Sequence, residues 1–399
     1  MVVRSIRLRL RTVIKVLCAL ALVAGAGSLV SAGAASAAQA KGSPIKMGLI
    51  NQENDPAGDF TPVDVGLTAA VKYINDSLGG IAGRPIVIDK CITSSTANGD
   101  TCAEQMVHDH VLMVAGGVNL TGSEIYPVLK KAGIPFIGEA AVSPADLQGD
   151  GNHFFMFGGS LAEFPAEAAT IVKSGDKNMV LFVLDGTGGQ LVQSLLAPVF
   201  KAAGVKMTIV TADGGSADFT SQLTIVKADN PQAIMVAFVP PACTKILQES
   251  PSVGITVPTY YTGNCGTDQI LASVGSAAKG AYFASEPLPL TDKSSQVTIF
   301  KKEMPGSTDP DNESGFGTMM DIYNIIKKAG GAHATSASIR KTVASSTNVA
   351  GFLGAPYSCG KPPLSVAPAV CNVGVRLIQA SAKGTTTDVS GHWVSVLHA

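Results

Sequence analysis

Short apolar runs alternate with amphipathic stretches along almost the whole chain. "IKMGLI" is followed by a helical pattern from Thr61, where Thr61 suits the N-cap and Pro62 the first helical position. Val63, Leu67, Ala70, Val71, Ile74 and Leu78 then fall on one apolar stripe. The glycine pair after Leu78 ends that helix, and "RPIVIDKC" is the next strand. "TCAEQMVHDH" reads as helix, "VLMVAGG" as strand, "GSEIYPVLKKAG" as helix and "IPFIGEA" as strand. Strands alternating with helices of this length imply βαβ units, hence a parallel sheet covered on both faces. The scheme then restarts with the strands "NMVLFVLD", "VKMTIVTAD", "AIMVAFV" and "PTYYTGN", separated by helices such as "GGQLVQSLLAPVFKAAG". "KKAGIPFIG" and "SVGITVPTYY" echo each other, with Gly at a helix end and Pro at or near a strand start, so the two halves read as like-folded lobes.

Near Tyr282 the pattern changes. "AYFASEPLPL" is extended, three helical stretches run to about Thr347, and "VGVRLIQA" and "HWVSVL" read as short strands. A chain that builds one lobe, builds a second, returns to the first and ends in the second crosses between them three times. The crossings are expected near Gly158–Glu163, Ala284–Leu288 and Gly351–Tyr357. Residues 41–161 with 288–350 then form the first lobe, and 162–287 with 351–399 the second. The expected fold is α/β: two Rossmann-like lobes with parallel sheets, joined by a three-strand hinge over a cleft.

The N-terminus adds a location. "MVVRSIRLRLRTVIK" is basic without an acidic residue, Val16–Val30 is apolar, and "SAGAASAAQA" supplies A-x-A sites ending at Ala37 or Ala40. That order is a secretory signal peptide over residues 1–40, too short in its apolar core for a spanning helix. Cys18 lies too early in that core, after Leu17, for a lipoprotein site. The mature chain is thus expected to be exported, with no membrane anchor. Lys plus Arg (29) nearly balances Asp plus Glu (30), a formal net charge of −1, so no basic field draws nucleic acid. Six cysteines remain, in near-neighbour pairs: Cys91 with Cys102, Cys243 with Cys265 and Cys359 with Cys371. No C-x-x-C spacing or nearby His favours a metal, and an oxidising compartment lets each pair close as a local disulfide.

With that order of elements in place, the signal peptide, "PIKMGLINQENDPAGDF", "AAVKYINDSLGGIAGRPIVIDKC", "YPVLKKAGIPFIGEAAVSPADL" and "DFTSQLTIVKADNPQAIMVAFVP" together resemble the class I periplasmic binding proteins. More narrowly they resemble the leucine/isoleucine/valine-binding receptors of ABC transporters. The resemblance spans nearly the whole mature chain and rests on order and spacing, since none of these phrases is a catalytic signature. It implies the periplasmic binding protein-like I fold, a small solute as ligand and a membrane ABC permease as partner.

Enzymatic alternatives lack their parts. "DGTGGQL" (185–191) opens a helix after a strand but lacks the G-x-G-x-x-G spacing, and no G-x-x-x-x-G-K-[ST] or G-x-S-x-G occurs. Ser338-Ile339-Arg340-Lys341 and Ser174-Gly175-Asp176-Lys177 fit S-x-x-K without its companion motifs. His108 and His110 read as solvated residues at a helix C-terminus. Asn119-Leu120-Thr121 matches a glycosylation sequon but reads better as a cleft-lining loop. No cofactor, metal or catalytic group is expected.

The site is expected in "AGGVNLTGSEIYP" (115–127), a glycine-rich turn from strand to helix at the sheet's carboxyl edge, where open α/β folds bind ligands. In the resembled family a hydroxyl here and the loop after the next strand hold the ligand's carboxylate. The matching positions are Thr121, with Asn119 beside it, and Ala141, Val142 and Ser143. The second lobe's matching positions are Gly188 and Asn264. Three of these depart from the family: Val142 replaces a Thr, Gly188 lies where an aromatic is common, and Asn264 lies where an acid meets the ligand's ammonium. Glu163 and Glu286, both near expected crossings, are candidates for the missing carboxylate. The function implied is capture of an amino-acid-like or carboxylate-bearing solute for an ABC importer. A sensor of the same fold and an exported hydrolase are the alternatives.

Overall fold

The computed structural model describes residues 40–55 and 58–395; the expected signal peptide lies outside the described residues, apart from Ala40. The first half alternates β1 (Ile45–Gln52), α1 (Thr61–Ser77), β2 (Ile86–Thr93), α2 (Gly99–His108), β3 (Val114–Gly116), α3 (Gly122–Ala132), β4 (Phe136–Ala140), α4 (Pro144–Leu147) and β5 (His153–Phe157). These strands form one parallel sheet in the order β2-β1-β3-β4-β5. Every residue of β3, β4 and β5 is buried, as expected where helices cover both faces of a parallel sheet.

The second half runs α5 (Ser160–Ser174), β6 (Asn178–Leu184), α6 (Gly186–Ala202), β7 (Lys206–Ala212), α7 (Thr220–Ala228), β8 (Ala233–Ala237), α8 (Pro240–Glu249), β9 (Thr259–Thr262), α9 (Asp268–Val274) and β10 (Tyr282–Ser285). Three helices follow, α10 (Ser295–Glu303), α11 (Pro310–Lys328) and α12 (Ser336–Ala344), and then β11 (Arg376–Ala380) and β12 (Thr386–Asp388). The second sheet has the order β12-β11-β10-β9-β8-β6-β7, parallel from β6 to β10 and antiparallel at the β10-β11-β12 edge. The architecture is two mostly parallel sheets, each with its own helices.

The chain passes between the sheets where the pattern changes. It leaves the first sheet after β5 and the second after β10. Val297, Phe300 and Phe316 then return to the core that holds Met47, Leu49 and Ile137. α1 and α11 cross in close contact over this core. An added Cβ on Gly66 would meet Asn312 O at 2.0 Å, and one on Gly315 would meet Val63 O at 2.2 Å, so each glycine admits the other helix's backbone.

The last crossing differs from expectation. Residues from Val349 to Cys371 stay with the first lobe. Phe155 pairs in parallel with Val370, its N–H donating to Ala369 O and its carbonyl accepting from Cys371 N (both 2.9 Å). The cause is the free edge of β5, whose unpaired backbone groups need a partner. β5 itself and α5 were not read from the sequence. At α1, Phe60 and not Thr61 holds the cap position, and Thr61 opens the helix with its hydroxyl donated to Asp59. Of "HWVSVL", residues 392–395 are described, and there Val394 bridges Val375; the last strand among the described residues is β12.

The three expected cysteine pairs are joined: Cys91–Cys102, Cys243–Cys265 and Cys359–Cys371. The first ties β2 to α2. The second fastens α8 to the short 3-10 turn Gly263–Gly266 after β9. The third braces the segment that covers β5.

Candidate functional site

The carboxyl ends of β1, β2 and β3 come together through buried side-chain amides. Asn51 Oδ1 accepts Val118 N–H at 3.1 Å, and Gln52 Oε1 accepts Leu120 N–H at 3.2 Å. Gly117 lies so close that an added Cβ would stand 2.0 Å from Asn51 Oδ1, so this turn follows the sheet edge only with glycine there. Asn119 is 2% exposed; its Nδ2 donates to Ile50 O (3.0 Å) and its Oδ1 accepts Thr93 Oγ1 (2.7 Å). Its amide is therefore committed to joining β1, β2 and the turn after β3, a strut beneath the edge.

Thr121 is 4% exposed and occupies the cap position of α3, yet its hydroxyl caps nothing and has no hydrogen-bond partner. Its Cβ packs toward Gly99 at the start of α2. After β4, Ala141 and Ser143 are buried while Val142 is exposed. The N–H groups of Val142 and Ser143 both donate to Asp146 Oδ2, at 2.8 and 2.6 Å, and Tyr126 OH donates to Oδ1. This is the carboxylate half of a capping box on α4: Asp146 holds amides of the loop that the resemblance implied for a ligand, while Ser143 Oγ is buried without a hydrogen-bond partner. Burial pushes the Asp146 carboxyl up, and these bonds pull it back. In the second lobe, Gly188 is exposed in the first turn of α6 with open space where a Cβ would stand. Asn264 is partly buried in the turn after β9, on the side of Asp311 at the start of α11, whose raised carboxyl it pulls back.

Four carboxylates gather where the lobes meet: Glu139 on β4, Glu163 on α5, Glu286 just after β10 and Asp311 on α11. Glu286 receives the N–H of Gly158 (2.7 Å) and of Gly159 (3.0 and 3.1 Å to its two oxygens). Gly159 adopts φ 55° and ψ −138°, open to glycine, which turns both N–H groups onto one carboxylate. It lies against the end of β4, where an added Cβ would meet Ala141 O at 3.3 Å. Glu163 Oε1 receives Gly263 N–H at 2.9 Å. Burial pushes Glu139, Glu163 and Glu286 each up to about 8, and neighbouring carboxylates add to it: Glu286 for Glu139, Asp311 for Glu163, Glu163 for Glu286. Asp311 is raised well above its usual range by burial and by Glu139. Among the described residues no group of three or more His, Cys, Asp or Glu is arranged to hold a metal ion.

The two glutamates singled out in the sequence thus stand together, with Glu139 and Asp311 completing the group. Those two carried no sequence signal: an isolated acid after an apolar strand and an acid in a helix's first turn are both ordinary. The arrangement can bind a small molecule between two carboxyl-edge surfaces, with neutral carboxyl groups at the back able to donate as well as accept hydrogen bonds.

A family model described as periplasmic binding protein matches residues 44–361. No curated protein matches the chain. Among solved structures, the leucine-binding protein LivK of Thermotoga maritima is similar with a TM-score of 0.69 at 16% identity, covering 88% of this chain and 99% of that one. LivJ of Streptococcus pneumoniae, a branched-chain amino acid transporter substrate-binding protein solved with isoleucine, gives 0.66 at 18%, covering 86% and 97%. A fatty acid ABC transporter substrate-binding protein from Thermomonospora curvata gives 0.69 at 14%, covering 88% and 93%. At these identities the likeness is one of fold.

Proposed function

The chain belongs to the periplasmic binding protein family, and from that premise we propose that it is the extracytoplasmic solute-binding component of an ABC importer. It takes a small amino-acid-like or carboxylate-bearing solute in the cleft between its lobes and presents it to a membrane permease, without covalent chemistry. The observation that carries this reading is the meeting of the two lobes at the carboxyl ends of their strands, where Glu286, after β10, holds the N–H groups of Gly158 and Gly159, after β5. The leucine, isoleucine and fatty acid in the names of the similar structures share a carboxylate, which supports the solute class. Thr121 and the Ala141–Ser143 loop face the solute from the first lobe, Gly188 and Asn264 from the second. Among the described residues no helix is long and apolar enough to cross a membrane.

A thermal-shift screen of amino acids, organic acids, amides, aromatic carboxylates and fatty acids tests the proposal. A true ligand at about 100 times its Kd adds about 2.7 kcal/mol of stability, and it is recovered unchanged after incubation. Recovery of an altered molecule would falsify the transport reading and revive the hydrolase.

A further inference from the structure

A cavity of about 660 Å³ lies where both lobes and the second crossing meet, and none of Thr121, Ala141–Ser143, Gly188 or Asn264 lines it. Its walls come from three places. The first lobe supplies Met304, after α10, and Glu313, in the first turn of α11. The crossing segment supplies Pro289–Thr291, and the second lobe supplies Asp268 of α9 and the β11–β12 turn. Gly384, at φ 72°, brings that turn down onto α9, where an added Cβ would meet Leu271 O at 3.1 Å.

Glu313 lines this cavity although it is only 5% exposed, and its Oε2 has no hydrogen-bond partner. Glu163 and Glu286, by contrast, each receive backbone N–H groups. The other charged side chains of the lining, Asp268, Lys301 and Lys383, are exposed at its rim. Lys301 Nζ donates to Leu290 O at 3.3 Å. Met304, Leu290 and Ile378 add apolar surface. A buried carboxylate without a donor is costly unless a proton or a cation meets it. Burial, Asp309 and Asp268 push the Glu313 carboxyl up by more than Lys301 pulls it back. An ammonium group seated there takes the place of the proton, bringing three N–H donors to an oxygen that has none. Among the described residues no three acidic, His or Cys side chains are arranged to hold a metal, whereas an ammonium ion needs one carboxylate.

We propose that this cavity is a second ligand site, which binds a primary alkylammonium ion: the charged head against Glu313, the alkyl stem along Met304, Leu290 and Ile378, and the acidic rim at Asp268. The site shares none of the solute-facing residues, so it and the importer reading stand or fall separately.

Calorimetry of the chain with n-butylamine, and with butan-1-ol as its neutral counterpart, tests the site. The amine should bind as a single molecule per chain, at least about ten times tighter than the alcohol. Glu313→Gln keeps the shape and removes the charge, and it should weaken amine binding at least about tenfold. In methyl NMR, the signals of Met304 and Ile378 should move with the amine and saturate. A chain that does not bind butylamine overturns the proposal, as does equal affinity for the alcohol or a folded Glu313→Gln variant that binds like the parent. If the variant does not fold, the parent's methyl signals decide. Saturating shifts at Met304 and Ile378 with the amine alone uphold the site, and shifts only elsewhere overturn it.

Discussion

Thr121 brings a hydroxyl into the interior and gives it nothing to bond. An unsatisfied buried hydroxyl costs roughly 1–3 kcal/mol, so Thr121→Val should raise the stability of the solute-free chain, by about 1 kcal/mol in chemical denaturation. The same change should weaken solute binding by about 1–3 kcal/mol in calorimetry, because a donor facing the ligand is lost. Lys130→Ala and Lys131→Ala, at the far end of α3, should leave affinity unchanged. If Thr121→Val gains stability and keeps its affinity, the hydroxyl is a packing defect and no part of the site. Asp146 has the opposite character, accepting from Tyr126, Val142 and Ser143 at once. Asp146→Ala should cost about 2 kcal/mol or more of stability and loosen the loop after β4, read as faster amide exchange at Val142 and Ser143. The sequence pointed to this loop and to Thr121, but not to which groups were already taken. "SPAD" after a strand reads equally as ligand loop and as helix cap; only the geometry assigns its amides to Asp146.

At the scale of elements, periodicity located most strands and helices because their apolar positions are regular. It passed over β5, since "HFFMF" is buried at all five positions, with no alternation to mark it. It also sent the segment after Gly351 to the wrong lobe. The need to cover the edge of β5 is a property of the assembled sheet and leaves no local pattern. The α1–α11 crossing makes a direct test of packing. Gly315→Ala forces a methyl onto Val63 O and should cost about 1–3 kcal/mol in denaturation, with circular dichroism unchanged if the helices merely separate. The disulfides test the compartment as well as the fold. Peptide mapping without reduction should recover Cys91–Cys102, Cys243–Cys265 and Cys359–Cys371, and breaking each should cost up to about 3 kcal/mol on the loop-entropy estimate. Free thiols at these positions in exported material would count against both.

For the whole molecule, the raised glutamates set a pH dependence of stability. Between about 4.5 and 8 the folded chain binds more protons than the unfolded one, so stability falls as pH rises through that window. Each group contributes up to about 1.4 kcal/mol per pH unit, and urea midpoints should be higher near about pH 5 than near about pH 8. A midpoint rising across that span would mean that the glutamates are solvated. Positions 139, 163, 286 and 311 are far apart in sequence, and only the two-lobe topology assembles them; the sequence offered two as candidates because they flank expected crossings. The returning segment that pairs with Phe155 has a consequence for how the chain is made. Synthesis runs from the N-terminus, and β6 to β10 are contiguous, so their sheet can assemble while the rest of the chain is still emerging. The first sheet has its five strands by residue 157, yet β5 keeps a bare edge until residues 369–371 arrive. A chain stalled or clipped before that point displays a row of unpaired amides and carbonyls to every neighbour. Its hazard is then aggregation through that edge, well before any loss of the second lobe.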